Sequence, residues 1–261
     1  MAASGQTRGT TAAHEWGSVS PGIPVVQDVG VTNPNGPTPP TGSLALVGGA
    51  EFGTTHDHHS GLFASGSTVT LLPTAMAYEN PAAVVAEARS HFDALGVSVE
   101  VIPAYTRHDA YDADMVARLG DAEHLYVTGG SPMHLRSVLL ESPLLAAGVR
   151  RWNEGMTVTA AAESTSVLCG YMVDHRGGAF TMGLGLIKTF TVIARFDRWS
   201  PEKRRRTVAL APPDMPVVGI DEATALVRGS DGTWSTDGPG GVHVFVGGSP
   251  RQLTELPTVL S

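Results

Sequence analysis

Short apolar runs that end at small residues, with helical patterns between them, constrain the fold of this chain most strongly. Residues 43–47 end at two glycines, and residues 124–127 end at Thr-Gly-Gly. Such runs are typical of parallel strands that are buried on both faces. Between them, residues 81–95 carry apolar side chains at helical spacing after a proline. This alternation predicts an α/β fold of three layers, in which helices cover both faces of a mostly parallel sheet.

The same reading assigns the other elements of the body. The predicted strands are residues 43–47, 68–72, 97–102, 124–127 and 156–160. The predicted helices are residues 81–95, 112–119, 133–140, 143–152 and 165–171. After about Gly177 the pattern changes to short strands separated by turns, at residues 217–220, 224–227, 233–235 and 242–246. We expect these strands to extend the main sheet in antiparallel fashion.

The two ends of the chain differ in composition. Residues 1–42 are rich in Gly, Ser, Thr and Pro, which predicts a flexible or strap-like extension. Residues 43–261 are expected to form a single domain. The extension contains Trp16 and the apolar run 23–26. Through these residues it could pack against the domain 43–261 or against the second subunit of a homodimer.

Charge and cysteine content exclude several classes of protein. The 261 residues include 17 Lys and Arg against 25 Asp and Glu, a net charge of -8, which argues against nucleic-acid and anionic-membrane surfaces. The basic run 203–206 is predicted to be the solvated face of a helix that begins at Pro201. A single cysteine excludes a disulfide framework. With no long apolar stretch and no signal-like N-terminus, we expect a soluble cytoplasmic protein.

Three of the predicted strands end in segments suited to a binding site. In open parallel sheets, ligands bind outside the carboxyl ends of the strands. Here those ends are residues 48–51, 128–131 and 160–166, which are small or polar. The third segment leads directly from a strand into a predicted helix, as the nucleophile elbow does in α/β hydrolases. Backbone N–H groups at such a turn can stabilise an oxyanion.

Motifs in these segments identify a family resemblance. Residues 46–51 (Leu-Val-Gly-Gly-Ala-Glu), 72–75 (Leu-Pro-Thr-Ala), 128–130, 183–186 (Gly-Leu-Gly-Leu) and 219–226 (Gly-Ile-Asp-Glu-Ala-Thr-Ala-Leu) resemble, in the same order, the cyanophycinase and dipeptidase E serine peptidases. The resemblance implies a class I glutamine-amidotransferase-like fold. It also implies a serine nucleophile, a histidine base and cleavage of amide bonds next to acidic residues.

The catalytic positions of that family carry other residues here. Without a gap, the family's elbow places its nucleophile on Ala162, whereas a shift of two positions places it on Ser164. The family's histidine precedes a phenylalanine, and here Arg195 precedes Phe196. Alanine has no nucleophilic atom, and arginine, with a pKa above about 12, takes up no proton at neutral pH. The ungapped alignment therefore predicts that the Ser–His mechanism is lost.

The replacing residues suggest another site. Glu163 and Arg195 together are suited to the two ends of an amino-acid or peptide-like ligand, and a desolvated carboxylate can act as a general base. The alternative is a structural ion pair between them. The residues that we expect to line the ligand site are Gly49, Glu51, Gly129, Gly130, Ser131, Ala162 and His134.

A histidine-rich segment introduces a metal hypothesis. His56, His58 and His59 flank Asp57 in the loop after the first strand, and imidazole with nearby carboxylate suits zinc, iron or manganese. Adjacent histidines converge on one ion only through a tight turn, and the chain has no His-Glu-x-x-His helix. Solvated loop histidines are the alternative. No cofactor is expected otherwise.

Three functions stay open at this point. The first is a repurposed enzyme that acts on an amino-acid- or peptide-derived amide or carbonyl through Glu163 and Arg195. The second is a serine hydrolase that uses Ser164 and a histidine recruited from elsewhere, such as His56, His134 or His175. The third is a catalytically inactive protein that binds a ligand or partner in the same cleft.

Overall fold

The structure, a computed structural model, describes residues 42–53 and 61–260. The predicted extension up to residue 41, including Trp16 and residues 23–26, lies outside the described residues. The described strands are β1 (Leu44–Val47), β2 (Thr68–Leu72), β3 (Ser98–Val101), β4 (His124–Val127), β5 (Thr157–Ala161), β6 (Tyr171–Val173), β7 (Phe180–Met182), β8 (Thr191–Ala194), β9 (Val217–Ile220), β10 (Ala225–Arg228), β11 (Trp234–Asp237), β12 (Val242–Val246) and β13 (Ser249–Arg251). The described helices are α1 (Pro81–Ala94), α2 (Ala113–Gly120), α3 (Pro132–Leu139), α4 (Pro143–Asn153), α5 (Ser164–Val167) and α6 (Pro201–Leu210).

The main sheet has seven strands in the order β11-β10-β1-β5-β4-β2-β3. The five strands from β1 to β3 in this order pair in parallel, and β10 and β11 continue the sheet in antiparallel fashion. Successive residues of a strand point to opposite faces, and accordingly Leu46 belongs to one apolar cluster and Val47 to another. Residues of α2, α3 and α4 pack in the first cluster and residues of α1 in the second. The predicted three-layer α/β fold is therefore confirmed.

Two of the late strands do not extend the main sheet, and that part of the prediction is wrong. Strands β9 and β12 form a second sheet in the order β13-β12-β9-β8, in which β8 and β9 are parallel. All residues of β8 and β9 are buried, whereas β10 and β11 pair at the edge next to β1. Periodicity marks a segment as a strand but carries no information about its neighbour, because pairing depends on contacts distant in sequence.

Side-chain caps account for where the longer helices begin. Asn80, Asp112, Ser131, Ser142 and Ser200 each accept a backbone N–H from the first turn of the helix that follows. A proline occupies the first turn of α1, α3, α4 and α6, where its missing N–H costs nothing.

The predicted helix 165–171 is much shorter in the structure. Helix α5 ends at Val167, because the chain then pairs with the segment before β8. Cys169 forms a parallel bridge with Ile187, and the N–H of Gly170 donates to the carbonyl of Ile187. Within residues 42–53 and 61–260, no helix has the length and apolar character that crossing a membrane requires.

The basic run on α6 is not simply solvated, so that prediction is corrected. Lys203 donates to the carbonyl oxygen of His175, Arg204 to those of Asp197 and Trp199, and Arg206 to that of Gly177. Arg205 is exposed, as predicted. The helix does begin at Pro201, as predicted.

Substituting Gly148 with alanine is expected to stabilise the protein by about 1 kcal/mol, because glycine is unfavourable inside a helix. Gly148 lies in α4 beside a wholly apolar cavity, and a Cβ atom there would lie 3.5 Å from Leu119 Cδ2, an ordinary contact. Urea denaturation measures the change. The control is Gly155→Ala just after the same helix, where a φ of +111° makes alanine strained and stability should fall. A loss of stability in Gly148→Ala would contradict the packing described.

Candidate functional site

The main cleft lies at the carboxyl ends of β1, β4 and β5, the edge that the sequence indicates. Its volume is about 840 Å³. Four carboxylates line it, from Glu51, Glu79, Glu87 and Glu163, together with Arg195 and His175. Among the described residues, the cleft therefore combines several carboxylates with the permanent cation of Arg195.

Ala162 forms the turn between β5 and α5. Its backbone is left-handed, with a φ of 48°, and its N–H donates to the carbonyl oxygen of Val47 at 2.8 Å. A left-handed conformation is costly for a residue with a Cβ atom and marks a strained turn like that of a nucleophile elbow. The side chain is fully buried, and a Cβ atom on Gly129 would lie 2.9 Å from the Ala162 methyl group. The turn thus carries a covered methyl group.

The hydroxyl groups after this turn point into the protein. Ser164 is fully buried, and its Oγ donates to the carbonyl oxygen of Thr128 at 2.7 Å. Thr165 and Ser166 donate to carbonyl oxygens three residues earlier in the chain. None of the three hydroxyls accepts an N–H as a helix cap. Ser164 does not line the main cleft.

Arg195 follows β8 and lies across the cleft floor. Its N–H donates to the carbonyl oxygen of Gly48 at 2.8 Å, and its backbone is left-handed, with a φ of 50°. A Cβ atom on Gly49 would lie 3.0 Å from Arg195 Cγ, so the glycine leaves room for this side chain. The structure brings Arg195 and Glu163 together, with 3.6 Å between Nε and Oε1. That separation is too long for a hydrogen bond, and Nε has no hydrogen-bond partner among the described residues.

Glu222 is a second acidic neighbour of Arg195, which the sequence analysis does not include in the site. Its Oε1 lies 3.9 Å from Arg195 Nε, while its Oε2 accepts from Arg198 Nε at 2.7 Å. The carboxylate is thereby fixed by Arg198 and only loosely paired with Arg195. The signal that marks it is the Gly-Ile-Asp-Glu motif at residues 219–222, which the sequence analysis uses only for the family resemblance.

Glu51 reaches the amide next to the elbow. Its Oε1 accepts a hydrogen bond from the N–H of Gly129 at 3.0 Å. This N–H, which lies close to the Ala162 methyl group, is therefore already bound by Glu51. Burial raises the pKa of Glu51, opposed by the Gly129 hydrogen bond and the charge of Arg195, while the charge of Glu163 also raises it. A carboxyl group of this kind holds a proton to higher pH than an exposed one and is suited to acid–base chemistry.

Substituting Glu51 with glutamine is expected to stabilise the protein more at pH 7 than at pH 4. Folding raises the pKa of this carboxyl group, so its protonated form favours the folded protein. This contribution to stability is fully present below the unfolded pKa and is lost as the pH rises through the folded pKa. Glutamine does not ionise, so the stability advantage of the variant should grow as the pH rises over this range. Urea denaturation at both pH values measures it, with Glu87→Gln on the same cleft wall as control. An equal difference at pH 4 and pH 7 would contradict the burial of Glu51.

The other predicted ligand residues differ in where they lie. Gly130 lines the main cleft with a φ of +130° and has no room for a Cβ atom, which would lie 2.6 Å from the carbonyl oxygen of Ala75. Ser131 caps α3 and lines a second, smaller cavity. His134 does not reach the main cleft, because its Nε2 lies 2.8 Å from the carbonyl oxygen of Tyr105.

The proposed metal ligands His56, His58 and His59 lie outside the described residues. Among residues 42–53 and 61–260, no group of three or more His, Cys, Asp or Glu side chains is arranged to hold a metal ion. The metal hypothesis stays a prediction.

Comparison with known proteins identifies the family. The model of peptidase family S51 matches residues 44–233, which include the elbow, Arg195 and the Gly-Ile-Asp-Glu motif. The chain belongs to peptidase family S51. The resemblance seen in the sequence is thereby confirmed at the level of the family.

Family S51 relatives are similar at low identity. The chain is 27% identical over 174 residues to a cyanophycinase of Synechococcus elongatus, which covers 62% of this chain and 53% of the relative. It is 26% identical over 202 residues to a cyanophycinase of Nostoc sp. strain PCC 7120, covering 73% of this chain and 66% of the relative. The matched part thus spans about half to two thirds of these relatives.

A solved structure of similar fold supports the same assignment. The crystal structure of a peptidase from an acI-B1 Actinobacterium superimposes with a TM-score of 0.69 and 27% identity, over 80% of this chain and 93% of that one. The two chains therefore share a fold over most of their length.

Proposed function

We propose that this chain is a repurposed member of family S51, whose cleft binds an amino-acid- or peptide-derived ligand without the Ser–His mechanism. One observation carries the proposal: the elbow turn bears the buried methyl group of Ala162, and the guanidinium of Arg195 lies at the cleft beside Glu163. A peptide bond bound there would meet no nucleophilic hydroxyl and no imidazole base from these two positions.

The charges of the cleft suit a ligand with both signs. Arg195 has a side chain that is 42% exposed although its Nε is buried, so we expect its terminal guanidinium nitrogens to form a bidentate pair with a ligand carboxylate. Glu79 and Glu87 also line the cleft, are exposed and suit an ammonium group. A dipeptide with an acidic first residue and a basic second residue, such as aspartyl-lysine, meets both requirements.

Turnover of such a ligand is a second candidate, favoured by one observation. Burial raises the pKa of Glu51, which therefore holds its proton to higher pH than an exposed carboxyl group, beside Glu163 and Arg195. In this form of the proposal, Arg195 and Glu163 hold the amide group of the ligand, and a cleft carboxylate takes a proton from a water molecule. The water oxygen attacks the amide carbonyl carbon, the C–N bond breaks, and the proton passes to the leaving amine. Release of lysine from aspartyl-lysine, abolished in Glu163→Gln, would support an enzyme. Binding without release would support a ligand-binding protein.

A fluorophosphonate probe is expected to leave this protein unlabelled, because the probe requires an activated serine. Intact-protein mass spectrometry measures the labelling, with an active serine peptidase as positive control. Stoichiometric labelling of the wild type that disappears in Ser164→Ala would overturn the proposal in favour of a serine hydrolase.

A further inference from the structure

A cavity in the core lies between helix α4 and the main sheet, on the side away from α1. Its walls are leucine and valine side chains together with Trp152 and Gly148, and no polar atom of the described residues faces it. The polar N–H of Trp152 is turned away and donates to the carbonyl oxygen of Gly42 at 3.1 Å. The cavity has a volume of about 40 Å³, and we call it the core cavity.

The size and character of the core cavity suit a short alkyl chain. One water-sized sphere needs roughly 10–15 Å³, so the cavity has room for about three or four carbon atoms. Water would find no hydrogen-bond partner on these walls, and apolar cavities of this kind stay dry. Apolar atoms placed there gain dispersion contacts that the walls lack when the cavity is empty.

Gly148 leaves this space open on the side of α4. Glycine is unfavourable inside a helix, and close packing against a neighbour is one reason to find it there. A Cβ atom on Gly148 would lie 3.5 Å from Leu119 Cδ2 and 3.9 Å from Leu125 Cδ2, and both are ordinary contacts. Packing of the helix therefore does not require glycine at this position, and its effect in the structure is to widen the core cavity.

Leu145 and Val149 separate the core cavity from the surface. They are one helical turn apart on the same face of α4, and both are partly exposed. Both also line an open groove on the surface of about 790 Å³, whose other lining residues include Tyr111, Pro143 and Arg150. We call it the α4 groove. The core cavity and the α4 groove are thus divided only by side chains that they share.

Charges of both signs line the α4 groove. Arg150 has a side chain that is 57% exposed, and its Nε lies 3.9 Å from Glu154 Oε1, which is too long for a hydrogen bond. Glu154 Oε2 accepts instead from Arg151 Nη1 at 2.9 Å, and the exposed Glu141 lines the same groove. An anionic head group would meet two carboxylates here, and a cationic one would meet Arg150. A hydroxyl group can donate to a carboxylate or accept from a guanidinium, so the groove suits an uncharged polar head.

We propose that the core cavity is a binding site for a small uncharged alkyl molecule, such as a primary alcohol of about five carbons. The alkyl chain occupies the core cavity, and the hydroxyl group stays in the α4 groove near Arg150 and Glu141. Leu145 is the gate between them, because its side chain is unbranched at Cβ and rotates more readily than that of Val149. This site is separate from the main cleft and does not depend on the proposed function.

NMR spectra of the leucine and valine methyl groups test the site, with n-pentanol as the probe. Saturable shifts are expected at Leu119, Leu125 and Leu168, which line the core cavity. Neopentyl alcohol has the same formula but a bulky branched chain, so it is the matched control ligand and should bind about tenfold more weakly. Pentanoate and pentylammonium should also bind more weakly than n-pentanol, because each meets a like charge in the α4 groove.

Variants test the cavity and the gate separately. Gly148→Ala fills the space of about one methylene group and should weaken n-pentanol about fourfold. Gly177→Ala is the matched control and should bind like the wild type, because a Cβ atom there meets nothing within 4 Å among the described residues. Leu145→Ala removes the gate, and line shapes of the methyl signals should show dissociation of n-pentanol about tenfold faster.

Several outcomes would overturn this inference. Shifts that rise linearly with n-pentanol and never saturate would exclude a site. Equal affinity for neopentyl alcohol, or wild-type affinity in Gly148→Ala, would exclude the core cavity as the place of the chain. Shifts caused by xenon at the same methyl groups, with none from n-pentanol, would show a sealed void that no alkyl molecule enters. Tighter binding of either charged probe would overturn the uncharged head group. Each of these results leaves the proposed function of the main cleft unaffected.

Discussion

Replacing Gly48 with alanine is expected to destabilise this protein by about 4 kcal/mol. Losses of this size have few causes, and the cause here is overpacking of a side chain against backbone atoms. A Cβ atom on Gly48 would lie 2.0 Å from the carbonyl oxygen of Asp221 and 2.7 Å from that of Ile220. Both are backbone atoms where the chain passes from the second sheet to the main sheet, so neither can move aside as a flexible side chain does. Urea denaturation measures the loss, with Gly61→Ala as control, because a Cβ atom there meets nothing within 4 Å among the described residues.

The same substitution is expected to disturb the cleft. The N–H of Gly48 donates to the carbonyl oxygen of Thr224, and its carbonyl accepts from the N–H of Arg195, both at 2.8 Å. Moving Gly48 therefore moves the left-handed turn that carries the guanidinium. A stable Gly48→Ala variant with wild-type affinity for aspartyl-lysine would contradict this contact between the sheets.

Substituting Arg195 with methionine is expected to weaken the binding of aspartyl-lysine by about 100-fold, equivalent to roughly 2.7 kcal/mol, because a bidentate charge-assisted pair with the ligand carboxylate is lost. Methionine preserves most of the apolar length of the side chain, so packing across Gly49 should be largely kept. Isothermal titration calorimetry measures the affinity, and urea denaturation verifies that the variant is folded.

Two further variants make this result specific to the guanidinium. Arg195→Lys keeps the charge but loses the planar fork, and we expect it to recover only part of the affinity. Arg205→Met removes one exposed positive charge from α6 and should leave the affinity unchanged. Wild-type affinity in Arg195→Met would show that Arg195 is a structural partner of Glu163 and Glu222 and not a ligand contact.

The central part of the fold follows from the sequence with few errors. The five parallel strands and the helices between them are predicted from local patterns, because buried strands and amphipathic helices have distinct periods. The errors concern β9 and β12, which form a separate sheet, and α5, which ends four residues before the predicted limit. In each case a contact between distant segments overrides the local pattern.

The candidate site was predictable in part. The family motifs point to Glu163 and Arg195, and the structure places them together. Nothing local indicates that Glu222 joins them, that Glu51 binds the Gly129 amide, or that α6 holds His175 at the cleft. His134 shows the opposite error, since its place after a glycine pair suggests the cleft but its ring binds the carbonyl of Tyr105.

Residue identity and local period were enough to identify the family, the five parallel strands with the helices between them, and the absence of serine and histidine from the ungapped family positions. They did not predict β6, β7 and β13. Tertiary contacts were needed to show which residue occupies the elbow turn, which carboxylates surround Arg195, and which histidine reaches the cleft. Those properties depend on backbone angles and on contacts between segments far apart in the chain, such as Gly48 with Asp221 and Lys203 with His175. Such distances are set only when the two sheets pack together, so they cannot be predicted from the residue types alone.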